Sequence, residues 1–305
     1  MTRPLKKRIK NHFIYYGARL LLFLLGLFPQ FVLTFLGDLL GRAAFMGARG
    51  ERLKTLSNLK RAFPNLSEEK RGRLGSDVFA HFGRTVLEMV KYRNQPLEKV
   101  VQRVAKIEGY EHFEKAHAKG RGVLMITAHL GNWELLAAWF ASKVPVAVVA
   151  QKLYDSRFDE MISNLRKNWG SEIIQRGTAL RGILKALQAG KTIGALCDQD
   201  TGSDGIFVPF FGIPAWTQTG VVRIARKTGT PLVPVFLTRQ KDGSYRIQVL
   251  PEIPMPGTGP EAQAIRSVVT RFTEIIEAQI RLYPDQWVWM HERWKHRPET
   301  ERSDG

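Results

Sequence analysis

Short apolar runs alternate with amphipathic segments from Arg121 onward, and this pattern limits the fold more than any other feature of the chain. The runs are predicted to be strands at 123–127, 146–151, 192–197, 231–239 and 245–250, all but the last apolar enough for burial on both faces. The predicted helices are 133–142, 155–169, 178–189, 217–228 and 261–282. The pattern predicts an α/β fold with a mostly parallel central sheet flanked by helices, and functional groups at the carboxyl ends of its strands.

The first 120 residues are predicted to be helical, without a strand. Ser67 opens a helix that runs to about Lys91, and its inner face is predicted to carry Val78, Phe79, Phe82, Val86 and either Met89 or Val90. We divide the chain into an N-terminal membrane anchor at 1–48, a helical region at 49–120 and an α/β core at 121–305, with 49–305 as one domain.

The N-terminus has the features of a membrane anchor. Five of the first ten residues are Lys or Arg, and the 18 residues from Leu20 to Gly37 carry no charge. That length is at the short end of the ~17–25 residues that cross a bilayer, and Pro29 interrupts it. The basic flank would stay on the cytoplasmic side. A cleaved signal peptide and a buried core helix remain alternatives.

The chain is strongly basic, with 46 Lys and Arg against 28 Asp and Glu, a formal net charge of +18. Such a surface attracts phosphate-rich or acidic partners, which include nucleic acid, an anionic membrane face and an acidic carrier protein. The single cysteine, Cys197, excludes a disulfide within the chain and any cluster that needs several cysteines.

The segment HLGNWE at 129–134 has the features of a catalytic site. His129 lies just beyond the first predicted strand, a Gly131-Asn132 turn follows, and Glu134 falls in the first turn of the next helix, which Asn132 can cap. A carboxylate on one imidazole nitrogen fixes the tautomer, so the other nitrogen can accept a proton from an attacking hydroxyl. We predict that His129 and Glu134 form a general-base dyad. A structural histidine beside an acid remains the alternative.

Several ordered segments carry a family resemblance. Besides HLGNWE they are NLKRAFPNLS at 58–67, DQDTGSDGIFVPFFGIPAWTQTG at 198–220, TPLVPVF at 230–236 and QWVWMHERWK at 286–295. Together they resemble the late acyltransferases of lipid A biosynthesis, the lauroyl and myristoyl transferases, which belong to the lysophospholipid acyltransferase superfamily. With the basic and apolar N-terminus, the similarity covers nearly the whole chain.

The resemblance implies an enzyme of the bacterial inner membrane whose catalytic domain lies on the cytoplasmic face. Such an enzyme moves a fatty acyl chain from acyl carrier protein, or from coenzyme A, onto a hydroxyl of a phosphorylated glycolipid, a lipid A precursor. It needs no metal or cofactor, since the acyl donor is a co-substrate.

The resemblance also implies roles for individual residues. His129 and Glu134 match the catalytic histidine and its acidic partner. Candidates for substrate binding or oxyanion stabilisation are Arg166, Arg176, Asp198 and Gln199, with Arg181 as a further arginine. Candidates for the wall of an acyl tunnel are Phe207, Phe210 and Phe211. Asp198 can also be a cap of the turn after its strand, and the aromatic rings can be ordinary core.

Other functions stay open. The acceptor can be a lysophospholipid, an ornithine lipid or a phosphatidylinositol mannoside instead of a lipid A precursor. A basic chain with interleaved aromatic residues can also bind nucleic acid, although we find no nucleic-acid motif and therefore predict no such partner.

Overall fold

The computed structural model describes residue 17 and residues 23–93, 95–150, 156–175 and 179–298. The predicted elements at 146–151, 155–169 and 178–189 each extend one residue beyond the described residues, and two further predictions lie wholly or mostly outside them. Arg176 is one of them, and most of the basic and apolar segment at 1–22 is the other.

Every strand and helix predicted from Arg121 onward has a counterpart among the described elements, which also include strands that were not predicted. The helices are α1 Gln30–Gly47, α2 Arg49–Ala62, α3 Glu68–Tyr92, α4 Leu97–Val101, α5 Tyr110–His117, α6 Trp133–Ala141, α7 Ser156–Asn168, α8 Ala179–Gln188, α9 Gly220–Thr228 and α10 Glu261–Leu282. The strands are β1 Val104–Glu108, β2 Val123–Thr127, β3 Val146–Ala150, β4 Ser171–Gln175, β5 Thr192–Leu196, β6 Gly205–Phe210, β7 Ile213–Gln218, β8 Leu232–Arg239 and β9 Tyr245–Val249.

Seven strands form one central sheet in the order β1-β9-β8-β2-β5-β3-β4. Every neighbouring pair in it is parallel except β8 with β9. β2 is buried at all five residues because it lies in the middle of the sheet, with helices against both faces. The mostly parallel sheet flanked by helices is thus confirmed, and β6 and β7 form a separate antiparallel hairpin.

Strands were missed where the sequence is not apolar throughout. β1 corrects the prediction that the first 120 residues hold no strand: it is an edge strand with its three middle residues exposed, and pairing with β9 stabilises it. β4 is the opposite edge and also has exposed residues. β6 and β7 each contain a proline, which the hairpin tolerates because it has only two strands, both of them edges.

The inner face of α3 differs from the prediction. Ser67 caps the helix as expected, and Val78 and Phe79 are buried, but Phe82 and Val86 are 39% and 44% exposed. The buried face instead includes the polar residues His81, Thr85 and Glu88. The apolar period misled the prediction because α3 has apolar residues on two sides, and the polar residues between them face the sheet.

α1 packs closely against α3. A Cβ atom on Gly41 would lie 2.2 Å from the carbonyl oxygen of Phe79, so this crossing needs glycine. An ion pair between Asp38 and Arg84 adds to the contact. Within the described residues, no single helix is long and apolar enough to cross a membrane; α1 and α2, bent by 92° to each other, reach that length only as a pair.

Candidate active site

His129 and Asp198 lie side by side because each follows one of two neighbouring parallel strands. β2 pairs with β5 up to Thr127 and Leu196, and the ladder continues with a hydrogen bond of 3.0 Å from the Cys197 amide to the Thr127 carbonyl. Two residues beyond each strand end, the side chains of His129 and Asp198 meet at the carboxyl edge of the sheet. This is the edge where α/β folds hold their functional groups.

Asp198 makes three hydrogen bonds around the imidazole. Its Oδ1 lies 3.0 Å from His129 Nδ1, and its Oδ2 accepts from the backbone amide of His129 at 3.0 Å and from the indole of Trp287 at 2.7 Å. The Asp198 side chain is fully buried, whereas that of His129 is 21% exposed. Because a carboxylate cannot donate, Nδ1 carries the proton and Nε2 is left as the free basic nitrogen.

The charges and hydrogen bonds around the pair favour a protonated His129 beside an ionised Asp198. Burial alone would lower the pKa of His129, but the charge and hydrogen bond of Asp198, with a smaller effect of Glu134, outweigh it and raise that pKa above its ordinary value. Burial alone would raise the pKa of Asp198, but His129 and Trp287 hold it below its usual range. Asp198 therefore stays charged and stabilises a protonated imidazole.

The turn after His129 is fixed by its backbone. Gly131 has φ +64°, and a Cβ there would lie 1.9 Å from the carbonyl oxygen of Leu237, so only glycine fits between the turn and β8. Asn132 Oδ1 accepts from the Leu135 amide at 3.0 Å, which confirms the predicted cap of α6. The ring of Trp133 packs edge-on against His129, with centroids 5.0 Å apart.

Glu134 lies near His129 but bonds to another residue. Its carboxylate accepts two hydrogen bonds from Arg166 on α7, one of them 2.9 Å from Nε to Oε2. Among the described residues, Glu134 and His129 share no hydrogen bond, and the carboxylate on an imidazole nitrogen of His129 is that of Asp198. The structure thus brings Glu134 and Arg166 together as one pair, and His129 and Asp198 as another.

The remaining polar candidates differ in their positions. Gln199 is half-buried beside Asp198, and Arg181 is exposed on α8. Burial and the charge of Asp198 raise the pKa of the Cys197 thiol far above its ordinary value, so this thiol is a poor nucleophile. Among the described residues, no group of three or more His, Cys, Asp or Glu side chains could hold a metal ion.

The three phenylalanines lie on the β6–β7 hairpin and the turn that joins its strands. Phe207 is half-buried and packs on Trp216. Phe210 and Phe211 are 1% and 7% exposed and belong to the main hydrophobic core, where Phe210 contacts Trp287. Core packing therefore accounts for these two rings, and their place in an acyl tunnel stays a prediction.

Trp287 is the site residue that the sequence analysis missed. Its indole donates to Asp198, and the backbone of its segment pairs with the turn after His129: the Val288 amide donates to the His129 carbonyl at 3.2 Å, and the Gly131 amide donates to the Gln286 carbonyl at 3.0 Å. Trp287, Trp289 and Trp294 are all at least 97% buried, so they pack in the core. The cluster of tryptophans near the C-terminus was the available signal.

Comparisons with known proteins agree with the resemblance. The family model described as bacterial lipid A biosynthesis acyltransferase matches residues 4–296. The lipid A biosynthesis lauroyltransferase of Escherichia coli (strain K12) is 28% identical over 274 residues, which are 89% of this chain and 88% of that protein. The lipid A biosynthesis palmitoleoyltransferase of the same organism is 27% identical over 278 residues, 90% of this chain and 89% of that protein.

A relative with another acceptor also matches. The phosphatidylinositol mannoside acyltransferase of Mycobacterium tuberculosis (strain CDC 1551 / Oshkosh) is 23% identical over 223 residues, 72% of this chain and 68% of that protein. The family model covers nearly the whole chain, and the lipid A enzymes match over a longer stretch at higher identity. The chain is therefore an acyltransferase of the lipid A type and belongs to the bacterial lipid A biosynthesis acyltransferase family.

Proposed function

We propose that this enzyme transfers a fatty acyl chain from acyl carrier protein, or from coenzyme A, to a hydroxyl of a lipid A precursor, with His129 as general base. The observation that carries the mechanism is the His129–Asp198 pair at 3.0 Å, which leaves Nε2 as the free basic nitrogen. A base so placed supports attack by a hydroxyl group on an acyl thioester.

The proposed step balances without a metal or an oxidant. His129 Nε2 takes the proton of the acceptor hydroxyl as its oxygen bonds to the thioester carbonyl carbon. When the tetrahedral intermediate collapses, the carbon–sulfur bond breaks and the imidazolium returns the proton to the leaving thiolate. Asp198 stays ionised throughout and stabilises the imidazolium.

Arg166 is our candidate for holding negative charge in this step. The ion pair with Glu134 uses only part of its five N–H donors and fixes the direction of the guanidinium. The remaining donors can stabilise the thioester oxyanion or hold a phosphate of the acceptor. Arg176 is proposed for the same purpose because the resemblance places it there, and Gln199 because it follows Asp198.

The relatives and the net charge support two candidate acceptors. The lipid A relatives favour a lipid A precursor, and the net charge of +18 suits an acceptor with phosphates and an acidic carrier protein. The match to a phosphatidylinositol mannoside acyltransferase supports a second candidate, an acylated phosphoinositide glycolipid.

One assay tests the function. Purified enzyme is incubated with acyl carrier protein or coenzyme A thioesters of several chain lengths and with a panel of acceptors: lipid A precursors, phosphatidylinositol mannoside, lysophospholipid and ornithine lipid. Mass spectrometry is expected to find a new ester on the lipid A precursor. Transfer to phosphatidylinositol mannoside alone would favour the second candidate. Ester formation on none of the acceptors would overturn both.

We also propose that the enzyme works at the surface of the bacterial inner membrane, on its cytoplasmic face. The support is an apolar stripe on α1, where Phe31, Phe35, Leu39 and Met46 are 74%, 67%, 54% and 70% exposed. Exposed apolar side chains in such a row are typical of surfaces that contact a lipid bilayer or another protein. The basic residues of the first ten positions would add attraction to anionic lipids.

Replacing Phe31 and Phe35 together by serine is expected to lower the partition coefficient onto lipid vesicles by about tenfold or more. Each ring contributes up to about 1.5–3 kcal/mol when it leaves water completely. Flotation with vesicles of phosphatidylethanolamine and phosphatidylglycerol measures the bound fraction. Ile107→Thr on the edge strand β1, which also removes exposed apolar surface, is the matched control and should bind like the wild type. Undiminished binding of the double variant would place the membrane contact elsewhere.

A further inference from the structure

Four hydrogen bonds fix the backbone of the turn from His129 to Gly131. The His129 amide donates to Asp198, its carbonyl accepts from Val288, and the Gly131 amide donates to Gln286. These three bonds come from the carboxyl edge of the sheet and from the segment that follows α10. The fourth comes from a different region: the Gly131 carbonyl is 3.2 Å from Nε2 of His81, in the middle of α3.

The hydrogen bond to Gly131 fixes the tautomer of the His81 imidazole. Since the Gly131 carbonyl can only accept, His81 Nε2 carries the proton and donates, and Nδ1 is then an unprotonated nitrogen. His81 Nδ1 is buried and finds no hydrogen-bond partner within the described part of the chain. The side chain is only 4% exposed. A buried acceptor without a partner lowers the stability of the fold. His81 is therefore less favourable for stability than an apolar residue would be at the same position of α3.

The neighbours of His81 keep it neutral. Burial and the nearby charge of Arg239 lower the pKa of His81 to about 3, the bond to Gly131 opposes this, and Arg84 adds to the lowering. The imidazole therefore remains uncharged over the whole range in which enzymes are assayed. Its role is that of a fixed donor, and His129 remains the titrating histidine of the site.

A ring of hydrogen bonds fixes the position of His81 relative to the sheet. Thr85 Oγ1 lies 3.4 Å from His81 Nε2 and is also contacted by the guanidinium of Arg239. Arg239 binds both oxygens of the buried Glu88 carboxylate, also on α3. The backbone amide of Arg239 donates to Gln286 Oε1, and Gln286 Nε2 donates to the carbonyl of Arg239, both at 2.8 Å. The ring closes because the Gln286 carbonyl accepts from Gly131.

We propose that His81 is a positioning residue for catalysis, and that its hydrogen bond to the Gly131 carbonyl sets the orientation of the peptide that joins His129 to the start of α6. This inference rests on the proposed function of His129 as general base. The described chain has no cis peptide bond, so fixing the Gly131 carbonyl also fixes the Asn132 amide on the opposite side of the same plane. Asn132 caps α6, which carries Glu134, and His129 lies two residues before Gly131.

The consequence is that both ion pairs of the site depend on His81. Without the donor, the buried Gly131 carbonyl must turn to find another partner, and the turn moves with it. The His129–Asp198 pair then loses its alignment, although none of its own atoms has been changed. A displacement of about 1 Å in a catalytic group is enough to lower a rate by about a hundredfold.

Three substitutions at His81 test this inference. His81→Gln keeps an amide donor at the distance of Nε2, His81→Asn has the same group one bond too short, and His81→Leu removes the donor and keeps the volume. We expect kcat to fall about tenfold to a hundredfold in the Asn and Leu variants and to stay within about threefold of the wild type in the Gln variant. The apparent KM for the donor should change little in all of them.

A matched control separates positioning from stability. Leu87→Ala lies on the same helix, where Leu87 is buried in a separate apolar cluster with Leu33 and Val90, so it loosens the helix packing away from the turn. Its melting temperature should fall, while its kcat should stay near that of the wild type. If it lowers kcat as much as His81→Asn does at a similar melting temperature, general loosening explains the effect and the inference is overturned.

A second readout does not depend on activity. NMR titration of labelled histidine measures the pKa of His129 directly, and this pKa should fall in the Asn and Leu variants because the contact with Asp198 loosens. It should be unchanged in the Gln variant. An unchanged His129 pKa and kcat in His81→Asn would overturn the inference, as would a folded Gln variant that behaves like the Asn variant. A wild type that transfers no acyl chain would refute the proposed function, and the titration would still test the positioning.

Discussion

His129→Ala is expected to lower kcat by about two to four orders of magnitude, the usual effect of losing a positioned general base. The structural reason is that His129 Nε2 is the free basic nitrogen of the pair with Asp198, and the neighbouring Cys197 thiol has a raised pKa and cannot replace it. Binding of the thioester should change little, so the loss should appear in kcat and not in the apparent KM. Single-turnover assays with a saturating acyl donor measure this directly.

The control for this variant is His112→Ala. His112 lies on α5, outside the contacts of the candidate site, and its loss should leave kcat unchanged. The melting temperatures of both variants should be compared with that of the wild type, because His129 also contacts Trp133. A folded His129→Ala enzyme with near-normal turnover would end the general-base mechanism.

The sequence predicted the central sheet because its strands are short, apolar runs between amphipathic helices. It could not predict the order of those strands, and the partner of His129 depends on that order. β2 and β5 are far apart in the chain but adjacent in the sheet, which brings Asp198 to the imidazole. Sequence reasoning instead selected Glu134, the nearest acid along the chain, whose carboxylate bonds to Arg166.

The residues that pack around the site, His81, Glu88 and Trp287, could not be predicted for a different reason. Burial of His81 and Glu88 on α3 reverses the expectation that apolar residues face the core, and Phe82 and Val86 took their places in the prediction. A helix with apolar residues on two sides has no unique inner face by periodicity alone. The contacts of Trp287 likewise depend on where the chain returns after α10, which no local pattern determines.

Asp198→Asn and Glu134→Gln together identify the working partner of His129. We expect Asp198→Asn to lower kcat by about two to four orders of magnitude, because the amide of asparagine can place an N–H against Nδ1 and so favour the tautomer in which Nε2 is already protonated. Glu134→Gln should lower kcat by about tenfold or less. Both variants keep the volume of the side chain, so each is a control for the other.

The pH profiles should differ in a defined direction. The general base works when His129 is neutral, so the rate of the wild type should rise with pH through a pKa above the ordinary histidine value of 6.5. Asp198 provides the largest of the effects that raise this pKa, and burial opposes them. Asp198→Asn should therefore move the acidic limb of the kcat/KM profile to lower pH, because the buried imidazole of His129 then gives up its proton more easily. Glu134→Gln should move it less in the same direction. If Glu134→Gln instead causes the larger loss and the larger shift, the reacting enzyme pairs His129 with Glu134, and the Asp198 contact is structural.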